Sequence, residues 1–153
     1  MFSKIVHPTD LSPASIPALQ TAHELARKLN SKLLVCFIAQ SPLVTVGTEL
    51  TDPATNESRD IAKELEEYES SDPDIDRELR IVVTEKSTRV KTLLSFLEEM
   101  KCDLLVMGMH KRAGVVGWLG PSITEEVVRR AGCAVLVVKQ HETEYEFDET
   151  PQS

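Results

Sequence analysis

Three stretches of the chain are apolar almost without interruption: Lys32 to Ala39 (KLLVCFIA), Asp103 to Gly108 (DLLVMG) and Cys133 to Lys139 (CAVLVVK). Runs of this kind suit strands covered on both faces, the condition of a parallel sheet sandwiched between helices. Two further runs read as strands, Phe2 to His7 and the LRIVV segment within Ile75 to Thr84. Between them lie stretches with helical periodicity. The first, Ser15 to Leu29, places Ile16, Leu19, Ala22, Leu25, Ala26 and Leu29 on one face. Pro17 is tolerated only in the first turn, which sets the helix start near Ser15. Thr55 to Ser70 is a charged helical stretch, and Asp72-Pro73-Asp74 ends it. Val90, Leu93, Leu94, Leu97 and Met100 mark a helix from about Ser87, and Ser122 to Ala131 a short one with Ile123, Val127 and Val128 inward.

Five strands alternating with four helices imply right-handed crossovers and one doubly wound, five-stranded parallel α/β sheet. The expected strand order is 3-2-1-4-5. Ligands of such sheets sit at the carboxyl ends of the strands, where the strand order reverses. The turn after the first strand, the end of the second and the loop after the fourth would converge there.

Charge narrows the partners. Seventeen basic and 25 acidic side chains leave a net charge of -8, and the sequence pI is about 5.0. A duplex-binding protein needs a basic face to displace counterions, so nucleic acid is excluded as a partner, as is an anionic membrane surface. No apolar run has the length of a membrane span, and MFSKIVHPTD lacks the pattern of a secretory leader, so the expected location is the cytoplasm. The three cysteines, Cys36, Cys102 and Cys133, lie in or beside apolar runs and read as core thiols. No C-x-x-C or H-x-x-x-H spacing supports a metal, and His141 to Ser153 is an acidic tail.

Two segments can carry chemistry. In the turn His7-Pro8-Thr9-Asp10, Asp10 either caps the following turn or contacts a base or ribose. The stretch Gly108 to Ser122 holds four of the six glycines together with Lys111 and Arg112. Ser122 can cap the next helix, whose amino end is a natural anion site. Lys111 and Arg112 are either solvated or phosphate-binding. His7 and His110 either meet across the crevice or stand apart. There is no G-x-G-x-x-G after the first strand, no phosphate-loop motif and no G-x-S-x-G elbow. No nucleophile–base or metal constellation is visible, which favours a binding role over an enzyme.

IVHPTDLS near the start, DLLVMGMHKR at the fourth strand and PSITEEVVRRAGCAVLVVK at the end together resemble the universal stress protein family over residues 2–139. The resemblance implies a Rossmann-like fold of the adenine nucleotide alpha hydrolase type. Its ATP-binding branch carries G-x2-G-x9-G-[S/T] after the fourth strand. Laid on this chain, the first glycine is Gly108, the second falls on Lys111, the third on Pro121 and the hydroxyl on Ser122. Lys111 puts a side chain where backbone should approach phosphate, and Pro121 has no N–H to donate. Losing one charge-assisted donor costs about 1.5–3 kcal/mol. By the same resemblance, Thr9 and Asp10 match an adenosine-contacting turn, and Phe37 a smaller residue beside the adenine. Met107, Gly108, Ser122, Ile123 and Thr124 match the remaining lining. Lys111 and Arg112 offer side-chain charge for an anion. AMP, or no nucleotide, fits this set better than tightly held ATP, and no cofactor is required; the alternative that the resemblance leaves open is a member that binds ATP or AMP, with slow ATP hydrolysis or autophosphorylation. The resemblance also implies a homodimer paired through Cys133 to Lys139, a regulatory role through an unknown protein partner, and a domain ending at 139 before the acidic tail at 140–153.

Overall fold

In the computed structural model the apolar runs form one parallel sheet, and residues 1–9, 15–40, 63, 73–109 and 121–139 are described. The strands are β1 (Lys4–Thr9), β2 (Lys32–Gln40), β3 (Arg77–Thr84), β4 (Leu104–Met109) and β5 (Ala134–Lys139). The helices are α1 (Ile16–Leu29), α2 (Arg89–Glu99) and α3 (Pro121–Arg130), with a 3-10 turn at Lys86–Thr88 before α2. The order is β3-β2-β1-β4-β5, as the sequence predicts. The helix expected over Thr55 to Ser70 (apart from Lys63), the turn from Asp10, residues 110–120 of the glycine-bearing loop and the acidic tail lie outside the described residues.

Strand alternation divides the core into two layers. Val6, Leu34, Cys36, Ile38, Leu105 and Met107 face α2 and α3, meeting Leu93, Phe96, Leu97 and Val127. Ile5, Leu33, Val35, Leu104 and Val106 face α1, meeting Ala22 and Ala26. Both faces of β1 and β4 are therefore covered, which is why their sequences are apolar at consecutive positions.

The inward face of α1 keeps Leu19, Ala22, Leu25 and Ala26 as expected, gains Ala18 and loses Ile16 and Leu29. Ala18, Ala22 and Ala26 are buried, while Ile16 and Leu29 are 48% and 43% exposed. Spacing of i, i+4 and i+8 puts three alanines in one line, and their small side chains let the helix lie close on the strands. Its two ends overhang the sheet. In α3, Ile123 and Val127 are inward as expected, but Val128 is 48% exposed and Thr124 takes the inward place. One further step of about 100° along the helix carries Val128 out of the contact. On β3, at the sheet's edge, Ile81 and Val83 are each 64% exposed, and among the described helices α1 packs mainly on β1, β2, β4 and β5.

Two helix ends are closed by residues in the left-handed region. Asn30 (φ 51°) follows α1, where the Ser31 N–H bonds to the Ala26 carbonyl at 2.9 Å. Lys101 (φ 53°) follows α2, where the Cys102 N–H bonds to the Leu97 carbonyl at 3.0 Å. These six-to-one bonds satisfy carbonyls that helices leave orphaned and turn the chain back toward the sheet.

Asp103, just ahead of β4, ties the amino ends of the central strands. Its Oδ2 accepts from the Ser3 N–H at 3.0 Å, the Ser3 hydroxyl at 2.6 Å and the Lys4 N–H at 2.9 Å. The Ser3 hydroxyl first, then the two amides, hold its carboxyl below the ordinary range. A carboxyl depressed in the folded state contributes stability that is complete above its unfolded value and disappears as pH falls through the folded one. The thermal midpoint of the wild type should therefore fall more steeply than that of Asp103→Asn between about pH 4 and pH 2. Parallel acid limbs in a pH series of thermal melts would contradict this.

Candidate functional site

The strand order reverses between β1 and β4, and the chain leaves their carboxyl ends toward opposite faces of the sheet, into α1 and α3. A crevice at that point is the expected ligand position in an open parallel sheet. The sequence of β1 shapes it. Pairing of β1 with β2 runs on to Thr9–Phe37, whereas pairing of β1 with β4 ends at Val6–Leu105. Pro8 has no N–H to contribute to a ladder. Beside it, His7 donates from Nδ1 to the Val106 carbonyl at 2.8 Å. A side chain thus supplies a donor to β4 where the ladder between the two strands has stopped. Because a carbonyl only accepts, this contact places a proton on Nδ1.

Past His7, Thr9 is fully buried, and its hydroxyl bonds the Ser15 hydroxyl at 3.0 Å. Ser15 precedes α1 without capping its backbone. The pair instead joins the last residue of β1 to the residue ahead of α1. This role of Ser15 was missed from the sequence. Its position two residues ahead of Pro17, at the edge of the helix, was the available signal.

The other expected residues fall as follows. Phe37 is half-buried on β2, level with Thr9. Met107 is fully buried in the core under α2 and α3, so its side chain is a packing element. Gly108 is buried near the end of β4, opposite Val138. Continuing the register beyond Val6–Leu105 would set Thr9 level with Gly108. Ile123 packs on the core from the first turn of α3. Ser122 belongs to the same turn, but its side chain lies outside the described residues, as do Asp10, His110, Lys111 and Arg112. Pro121 opens α3. At that position its missing N–H is one of the helix's orphan donors, so the helix itself loses nothing while an anion there loses one donor.

Thr124 stands out. It is 2% exposed, yet its Oγ1 has no hydrogen-bond partner among the described residues. A buried hydroxyl without a partner carries a desolvation penalty. The first turn of α3 contains no acidic residue to repel an anion. Among the described residues no group of three His, Cys, Asp or Glu side chains is arranged to hold a metal ion.

A sequence profile of the universal stress protein family matches residues 1–139. The chain belongs to this family. Two universal stress proteins of Methanocaldococcus jannaschii are similar to it over nearly their whole lengths. MJ0577 is 32% identical, covering 92% of this chain and 96% of that protein. MJ0531 is 27% identical, covering 94% of this chain and 86% of that protein. Among solved structures, a universal stress protein in complex with cAMP is 26% identical, with a TM-score of 0.66 over 90% of this chain and 97% of that one. In this universal stress protein the crevice residues Thr9, Phe37, Gly108 and Thr124 come from four different elements that the topology gathers at one end of the sheet.

Thr124→Val keeps the shape of the side chain and removes the unpartnered hydroxyl. It should raise the unfolding free energy of the ligand-free protein by about 1 kcal/mol, read from urea denaturation. A loss of stability would mean that the hydroxyl is satisfied in solution.

Proposed function

We propose that this protein is a binding and regulatory universal stress protein whose crevice between the carboxyl ends of β1 and β4 takes an adenine nucleotide with one phosphate in preference to ATP. The observation that carries the reading is the buried Thr124 hydroxyl in the opening turns of α3, which has no partner among the described residues. A hydroxyl kept at such a cost fits a group that a ligand satisfies. The helix amino end beside it favours negative charge. The similar protein holding cAMP supports the same class of ligand.

The preference for one phosphate rests on Lys111 and Pro121. Each stands where the ATP-binding pattern has glycine, and Pro121 offers no N–H. Lys111 and Arg112 supply charge of a different geometry, suited to an anion held by side chains. Thr9 and Asp10 would contact the adenosine, with Phe37 beside the base and Met107, Gly108, Ser122, Ile123 and Thr124 completing the lining. The protein would act in the cytoplasm through a protein partner, by binding and not by turnover.

Titration calorimetry with AMP, cAMP and ATP tests the ligand. AMP or cAMP should bind at least tenfold tighter than ATP, and Thr124→Val should weaken that binding. Lys111→Gly combined with Pro121→Gly should strengthen ATP binding roughly ten- to a hundred-fold. Micromolar ATP binding by the wild type would refute the reading.

We also propose a homodimer paired through the outer edge of β5. β5 is the last strand of the sheet, and Leu136 on it is 37% exposed. An uncovered apolar edge is an association hazard unless a partner occupies it. Sedimentation equilibrium should give a dimer for the wild type and a monomer for Leu136→Glu. A monomeric wild type would end the proposal.

A further inference from the structure

The end of the sheet opposite the crevice carries an arrangement of its own. α2 closes on Lys101 in the left-handed region, and the reversed chain delivers Cys102 to the amino end of β4. Gly132 and Cys133 precede β5, which pairs with β4 from Leu104–Ala134 onward. The parallel register therefore brings the two cysteines together although 31 positions separate them. Cys133 Sγ donates to Cys102 Sγ at 3.8 Å. Both thiols are half-buried, and both line a solvent-open groove of about 360 Å³ that runs along α2 from Lys91 to Glu98 and past Arg130 at the end of α3. Arg130 is paired with Glu126 at 2.7 Å, which leaves Lys91 and Lys101 against Glu98 in the lining. In a chain of net charge -8 these two lysines give the groove a small excess of positive charge.

We propose that Cys102 and Cys133 form a reversible dithiol–disulfide site that exchanges with small anionic disulfides admitted by this groove. The Cys133 thiolate attacks one sulfur of the incoming disulfide. A new S–S bond forms, the old one breaks, and the departing thiolate takes a proton from water. Cys102 then releases its proton to water and attacks the Cys133 sulfur, expelling the second small thiol. In sum, two protein thiols are oxidised to a disulfide and one small disulfide is reduced to two thiols. We assign the first attack to Cys133, which follows the exposed and sterically open Gly132 at the groove; burial, followed by the neighbouring Cys133, raises the Cys102 thiol above its ordinary range. Contact between the two sulfurs makes the second step intramolecular. Cys133 lies ahead of β5 and packs toward the core under α2 and α3, so dimer pairing along the strand and exchange at the thiols do not compete for one surface.

Cys36 serves as the internal control. It is 1% exposed, and burial pushes its thiol up to about 12. Reduced full-length protein is treated with oxidised glutathione, blocked with iodoacetamide in denaturant, and read by intact mass and peptide mapping. The wild type should retain one alkylatable thiol, Cys36, yield a Cys102–Cys133 cross-linked peptide, and regain all three thiols on reduction. Cys102→Ser should stop at a single glutathione adduct on Cys133. A wild type that keeps three alkylatable thiols, or that cross-links through Cys36 or between chains, overturns the proposal. None of these outcomes depends on nucleotide binding.

Discussion

The hydrogen bond from His7 to the Val106 carbonyl, with Pro8 beside it, is the contact on which the architecture of the candidate site turns. A central parallel strand normally gives its amides to both neighbours. Here β1 keeps its pairing with β2 to the end but loses that with β4 after Val6. The strands remain joined at their amino ends, through Asp103 and the ladder, and are bridged further along by an imidazole. The sheet stays continuous where it forms the core and opens where a ligand would enter. The hydroxyls of Thr9 and Ser15 then join the end of β1 to the start of α1 on one side, while α3 begins on the other with a proline whose missing N–H costs the helix nothing.

The two ends of the sheet have different chemistry because they are built from different kinds of connection. At the carboxyl ends the chain runs from strand into helix, so orphaned amides and hydroxyls collect there, and Thr124 is one such hydroxyl. At the amino ends it runs from helix into strand. Tight helix-ending turns bring short side chains such as Cys102 and Asp103 against the neighbouring strand. The candidate crevice and the thiol pair then occupy opposite ends of one small sheet without sharing residues.

Packing follows the same economy. Aromatic residues are scarce, at 5% of the chain, and the core is made from branched aliphatic side chains between strands and helices. Alanines at Ala18, Ala22 and Ala26 let α1 approach the sheet closely, whereas α2 reaches it with Leu93, Phe96 and Leu97. The exposed Ile81 and Val83 on β3 show that an apolar run does not by itself imply cover on both faces.

The sequence by itself determined the class of fold, the strand order and the family. Apolar runs bounded by amphipathic helices allow few topologies, and chirality removes most of those. The same pattern also pointed to the crevice, since ligands of such sheets sit at the carboxyl ends of the strands where the strand order reverses. Only the tertiary structure decided that Thr124 and not Val128 faces inward, that Ile16 and Leu29 overhang the sheet, and that Cys102 meets Cys133. Such facts depend on helix rotation and strand register. Both are set by contacts between segments far apart in the chain, and a local pattern of residue types carries no record of them.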